Sequence, residues 1–403
     1  MRATTKSLLR RADPLRVFDV PALSEAQELM VGRFAVPIRR EIRRLMRGSD
    51  RIADLASVFP GALFALATGH GSAEMRREAL EQIDAGTPLK TVARTLGLPL
   101  WLRRLPPEAF TGPLGPLPSS EAFTRRIAAR LPHSAAESAF WLSTISFATR
   151  ACHEDFALWL AEHPLYGEPG DAQRVFAVLS AYAWFSNDPV TRGQGLIVVP
   201  WRPEIAFDTA LCAAKSWFNR VRLRLQVAPG VIEDTWLTPA TVNGLTFVPL
   251  VEARDILDEA HAMQNCADQY ADKLVRDRCR LFGIRKGASR VATMEIGPHQ
   301  REAGVLSINQ LKSRHNMPAG LDVWQAAHAW MAQQTALKRL PTLSLPERQI
   351  DHKAWREMMA DYRRQKSGAP WLPDALSGAS LAMIDADMSD LARRGGVSSW
   401  LFT

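Results

Sequence analysis

The chain of 403 residues is 47% apolar and 23% charged with a net charge of +8, which excludes a disordered or fibrous protein and suggests two or three globular domains. Its four cysteines, Cys152, Cys212, Cys266 and Cys279, form no CxxC pair, which argues against a disulfide scaffold or a Cys-rich zinc site and for reduced thiols. No apolar run approaches ~20 residues, and the basic first stretch lacks the apolar centre of a signal peptide, so a cytoplasmic protein without a membrane span is expected.

The charge is unevenly placed. Residues 1–132 carry 21 Lys plus Arg against 13 Asp plus Glu, and the rest of the chain carries 29 of each. All of the excess therefore lies in the first third, which favours an acidic partner there, nucleic acid before membrane. Ser24 is placed to cap a helix over about 25–47 that Pro37 kinks or divides. Its second half sets Arg39, Arg40, Arg43, Arg44 and Arg47 at offsets of one and four, a stripe able to neutralise phosphates. A solvated face interleaved with Glu41 is the plainer alternative.

Helices follow at about 51–68, interrupted by Pro60 and Gly61, and at about 72–84. Thr87 then opens a helix that Gly97 ends, and Trp101 and Leu102 begin another. That pair resembles a helix-turn-helix, although short helical pairs with a glycine turn are common. Prolines 106, 107, 113, 116 and 118 make a stiff connector. Residues 119–220 are helical and rich in core-filling aromatics. Within them Cys152, His153, Glu154 and Asp155 invite a metal, but neighbours on a helix diverge and at most two could ligate one ion. RVRLRLQV from Arg220 alternates apolar and polar residues and reads as a strand with a basic outer face.

NGLTFVPL from Asn243 reads as a turn and a short strand, and it leads into the stretch Glu259–Asn316. Met263, Cys266 and Tyr270 fall on one face if that part is helical. CRLFGIR and RVATMEI are strands joined by a turn at Lys286 and Gly287, and GVLSINQL is a third strand. Thr293 and Glu295 then share a side, as do Ile308 and Gln310. A helix across this sheet would gather Cys266, Tyr270, Arg285, Glu295, Gln310 and Asn316 into one candidate catalytic or binding constellation, for which no cofactor or metal is indicated. Residues 319–336 form an amphipathic helix, and the tail is helical in two pieces broken around Gly368–Pro373.

The residues from about Thr241 to Trp330 resemble the PcfJ-like family, named for a protein of conjugative plasmids. NGLTFVPL, Glu259, the M-x-x-C-x-x-x-Y of Met263, Cys266 and Tyr270, Phe282 and Arg285, Thr293 and Glu295, Gln310 and Asn316 carry the resemblance. GLPLWLRRLPPEAF and CHEDFALWL look like the N-terminal part of longer members. The resemblance implies mobile-element and DNA-transfer surroundings and names no reaction. Asn265 stands where the family has His, and Ala260 where it has Gly; loss of a His–Cys pair weakens a nucleophilic thiol.

The expectation is an α+β protein: a basic helical domain 1–118, a helical domain 119–220, a PcfJ-like α+β module 221–340 and a helical tail 341–403. Its expected function is nucleic-acid association of mobile-element or phage-conflict type. In the module Arg285 would hold phosphate, Gln310 and Asn316 would read a base or ribose edge, and Tyr270 would stack. The alternatives are an enzyme using Cys266, with Glu295 as acid or base and Arg285 or His315 near the thiol, or a helical scaffold for a protein partner. In a purely structural arrangement Glu295 would pair with Arg285 across neighbouring strands.

Overall fold

The computed structural model describes residues 22–132, 134–163, 169–187, 194–335, 350–366 and 376–394. The protein is α+β, with helices preceding a five-stranded antiparallel sheet. It forms two compact units, residues 1–143 and 144–403.

In the first unit Ser24 and Gln27 form a reciprocal capping box at the start of α1 (Glu25–Gly32). Pro37 lies in a 3-10 turn that separates α1 from α2 (Arg39–Met46), the division its missing N–H predicts. Phe59 ends α3 (Asp50–Val58), and Pro60 opens α4 (Pro60–Ala67), where its fixed φ suits a first helical turn. Ser72 caps α5 (Ala73–Asp84).

The next element corrects the expected helix pair. Helix α6 (Leu89–Thr95) begins after Pro88 and not at Thr87, and Gly97 follows it at φ +64°. Beyond Gly97 there is only a five-residue 3-10 turn, Leu100–Arg104. Pro99 before it and Pro106 and Pro107 after it leave no room for a recognition helix. Trp101 and Leu102 are buried, and the Trp101 indole donates to the Pro118 carbonyl at 2.9 Å. Helix α7 (Glu121–Ile127) completes this part, and α8 (Ala135–Ala151) runs across the boundary in sequence.

The second unit continues with α9 (Glu154–Glu162), α10 (Pro169–Asn187) and α11 (Phe207–Gln226). His153 caps α9, its Nδ1 accepting from the Phe156 N–H at 3.3 Å, so the Cys-His-Glu-Asp run marks a helix start. Among the described residues no group of three His, Cys, Asp or Glu side chains is placed to hold a metal ion.

Helix α11 overturns the strand expected at 221–227. Val221, Leu223 and Leu225 are buried, but so are Arg222 and Gln226, the supposed outer face. Arg222 pairs with Asp272 and lies 3.5 Å from Asp385, while Arg220 meets Asp268 at 2.8 Å. A helix enclosed on most sides can carry an alternating pattern when distant carboxylates receive its arginines. Those partners are invisible to a local window.

Strands β1 (Ala240–Val242) and β2 (Leu245–Pro249) form a hairpin through Asn243 and Gly244, at φ 52° and 73°. An Asn-Gly pair tolerates those left-handed conformations and matches the twist of the strands. After α12 (Ala253–Met263) and α13 (Ala271–Val275) come β3 (Arg280–Lys286), β4 (Ser289–Pro298) and β5 (Leu306–Lys312). The strands pair in sequence order, so the sheet is a meander with β1 and β5 at its edges. Next follow α14 (Leu321–Ala332), α15 (His352–Gln365) and α16 (Gly378–Arg394). The last two are the helical pieces of the tail, and their expected break lies outside the described residues.

Helix α14 covers one sheet face, where Trp330 stacks on Phe247 with ring centroids 4.7 Å apart and packs among Phe282, Ile284, Met294 and Ile296. The opposite face receives α12, a 3-10 turn at Ala267–Gln269 and α13, with Ile256, Ala260, Leu274 and Leu281 as its apolar contacts. Two bulges decide which residues reach this second face. Ile284 pairs with Ala292 and Arg285 with Arg290, leaving Val291 as the extra residue; Glu295 pairs with Gln310 and Ile296 with Ile308, leaving Asn309. Each bulge shifts the alternation by one residue. Ile308 consequently packs against the α14 side while Gln310 stands beside Glu295, so the expectation that the two share a side fails.

Candidate functional site

Helix α12 ends at Met263, and Gln264 closes it in the left-handed region at φ 49°. Cys266 therefore lies in the connection to the next turn, and Met263, Cys266 and Tyr270 do not share a helical face as expected. The chain reversal achieves the convergence instead. Asn265 accepts the Ala267 N–H at 3.1 Å and donates to the Thr293 hydroxyl at 2.8 Å, tying the connection to β4.

A hollow opens between this connection and the sheet. It is lined by Asn265, Cys266, Tyr270, Thr293, Glu295, Gln310, Lys312 and Asn316 over an apolar floor of Ala267 and Leu281. Its volume is about 280 Å³ including the open space at its mouth. It suits a protruding group or one ordered water, not a whole enclosed ligand. Tyr270 and Glu295 are buried at its base, while Gln310 and Asn316 are exposed at its rim.

Five of the six side chains marked by sequence thus come together: Cys266, Tyr270, Glu295, Gln310 and Asn316. Arg285 does not line the hollow. It turns to Glu259 at 3.7 Å, and Glu295 pairs with Tyr270 and Lys273 and not with Arg285.

Two buried carboxylates organise the polar groups. The Tyr270 hydroxyl donates to Glu295 at 2.8 Å, and Lys273 reaches the same carboxylate at 3.2 Å. Fully buried Glu259, from α12, accepts the Thr293 hydroxyl at 2.9 Å and Arg290 Nε at 3.0 Å. Gly283 makes room for it, since a Cβ there would lie 3.3 Å from the carboxylate. Thr293 joins the two groups, lining the hollow and donating to Glu259.

The electrostatics do not activate the sulfur. Burial, then the Asp268 carboxylate, pushes the Cys266 thiol up, whereas a nucleophilic cysteine needs its pKa lowered. The thiol meets Asn316 Oδ1 at 3.7 Å, and His261 is exposed on α12. Burial and the Glu295 carboxylate hold the Tyr270 phenol well above its usual range, so it acts as a hydrogen-bond donor. Three left-handed non-glycine residues flank the hollow: Gln264, and His315 and Asn316 at φ 60° and 56°. Asparagine and histidine are among the side chains that tolerate this region, and sparsely populated backbone of this kind gathers at ligand-contacting loops.

The arginine stripe of α2 is divided by its contacts. Arg39 donates to the Phe34 and Gly32 carbonyls at 2.8 and 2.7 Å and closes the end of α1. Arg43 pairs with Glu28 at 2.9 Å, and Arg44 with Glu41 at 2.5 Å, which holds Glu41 below the usual carboxylate range. Arg40 and Arg47 are exposed, and among the described residues neither side chain makes a hydrogen bond or salt bridge. With Arg43, Arg44, Glu41 and Pro37 they border an open depression.

Sequence reasoning missed Arg290, Lys273 and Lys312. A regular alternation from Thr293 sends Arg290 to the opposite face, and only the bulge at Val291 returns it to Glu259. Lys273 reaches Glu295 from α13, a contact between elements that no local pattern reveals.

The fold and site define an α+β protein with a small polar hollow between an antiparallel meander and a helix–turn–helix cover. No protein-family model matches the chain, and no match is found among curated proteins or solved structures.

Proposed function

We propose that this is a cytoplasmic, nucleic-acid-associated protein of mobile-element or phage-conflict type that binds or processes DNA, RNA or a nucleotide through its PcfJ-like module. The observation that carries the reading is the convergence of Cys266, Tyr270, Glu295, Gln310 and Asn316 on one hollow from elements far apart in sequence. The exposed amides of Gln310 and Asn316 suit a base or ribose edge, and Lys312 supplies a cation beside them. The left-handed backbone at His315 and Asn316 adds support. The upward push of burial and the Asp268 carboxylate on the Cys266 thiol favours a non-covalent role for the hollow over a cysteine nucleophile.

The test is to identify what nucleic acid or nucleotide co-elutes with the purified chain, then to measure binding of that species to Gln310→Ala and Asn316→Ala. Each variant is expected to weaken binding by about tenfold, in keeping with the ~1–3 kcal/mol of a specific base-edge contact. Unchanged affinity in both variants would remove the hollow from the reading.

A further inference from the structure

We propose that Arg285 and Arg290 form an anion subsite beside the hollow, built to hold a phosphoryl group; its assignment to a nucleotide or nucleic-acid phosphate rests on the functional reading above. The two guanidinium groups converge on a single oxygen. Arg285 and Arg290 lie 3.7 and 3.0 Å from the same Oε2 of Glu259, whose other oxygen accepts the Thr293 hydroxyl. One carboxylate against two guanidinium groups leaves a surplus positive charge, and Glu259 itself is fully buried. Partial burial strengthens the attraction of such a pair for an incoming anion.

Both arginine side chains remain partly open, at 27% and 31% exposure. Arg285 Nε, by contrast, is sealed from solvent without a hydrogen-bond partner. An orphaned donor costs about 1–3 kcal/mol, and a guanidinium turning outward to an oxyanion would satisfy it. Planar forks offer paired donors matched to phosphate oxygens, which a lysine cannot reproduce.

The backbone is shaped for this pair. The bulge at Val291 sets Arg290 directly across from Arg285 and on the Glu259 side of the sheet. Glu259 acts as a positioning residue, fixed by Thr293, which also lines the hollow. Lys312, the β5 neighbour of Thr293, adds positive charge on the far side.

Inorganic pyrophosphate is the probe, titrated calorimetrically into the full chain at low ionic strength. An Arg40→Glu/Arg47→Glu background removes the cations of α2 as a competing site. Saturable binding is expected to persist in that background and to weaken at least tenfold on adding Arg285→Gln or Arg290→Gln, with circular dichroism and thermal midpoint verifying the fold. If Arg290→Gln does not fold, Arg290→Lys keeps the charge and removes the fork, and it too should weaken binding. Absence of binding in the parent chain, loss in the α2 background alone, or equal affinity in the Arg285 and Arg290 variants overturns the subsite. An oligonucleotide arm separates the two readings. Pyrophosphate bound through Arg290 without oligonucleotide or nucleotide binding keeps the subsite and removes the nucleic-acid assignment. Oligonucleotide binding that depends on Gln310 but is indifferent to Arg290 does the reverse.

Discussion

Glu295 is a buried acid whose charge is answered from two sides, by a phenol and by an ammonium group half in water. Replacing Tyr270 by Phe removes the buried donor and leaves Lys273 as its remaining side-chain partner among the described residues. Urea denaturation of Tyr270→Phe should show a loss of about 1–3 kcal/mol, the cost of stranding a buried acceptor; a change within error would mean that water reaches Glu295. Cys279 gives a pH signature. Burial, then Glu295, pushes its thiol up to about 12, while an unfolded thiol titrates near 9. The unfolded chain therefore loses this proton first as pH rises, and stability should fall from about pH 9 toward 12. Urea midpoints between pH 8 and 11 should decline less steeply in Cys279→Ala than in the parent chain.

At the level of elements, Gly283 shows how closely α12 and the sheet approach. A Cβ at that position already meets the Glu259 carboxylate at 3.3 Å, so the branched side chain of Gly283→Val must displace it. Overpacking of this kind costs about 1–3 kcal/mol, measurable by urea denaturation. Loss of Arg290-dependent pyrophosphate binding should accompany it. Much of this region was legible beforehand: the turn at Asn243 and the short strand after it, the three later strands and the shared side of Thr293 and Glu295 all follow from turn chemistry and alternation, although strand β1, the other arm of the Asn243–Gly244 hairpin, was not expected. The failures have a common cause. Bulges at Val291 and Asn309 shift alternation without a mark in local sequence, and α11 hides arginines whose acids lie far along the chain.

For the molecule as a whole, positive charge and the polar hollow belong to different units, 1–143 and 144–403. The uneven charge was plain in the composition, but which arginines remain available was not, because Glu28, Glu41 and two carbonyls had to be placed first. Arg40→Glu/Arg47→Glu is the clean test of phosphate contact by α2, since Arg43 and Arg44 are already engaged. If α2 meets a nucleic-acid backbone, the slope of log affinity against log salt should become shallower by about 1–2 in the double variant. An unchanged slope would assign α2 to solvent. No described helix is long and apolar enough to cross a membrane.

The extra residue at Asn309 has a consequence beyond aiming Gln310. Strand β5 is an outer strand of the meander, and an unprotected outer strand can template the addition of foreign chains. The bulge spoils that template by breaking the regular spacing of its ladder. Deleting Asn309 should straighten the edge and promote soluble oligomers or aggregates, visible by light scattering, in a protein whose sheet would otherwise end at β5.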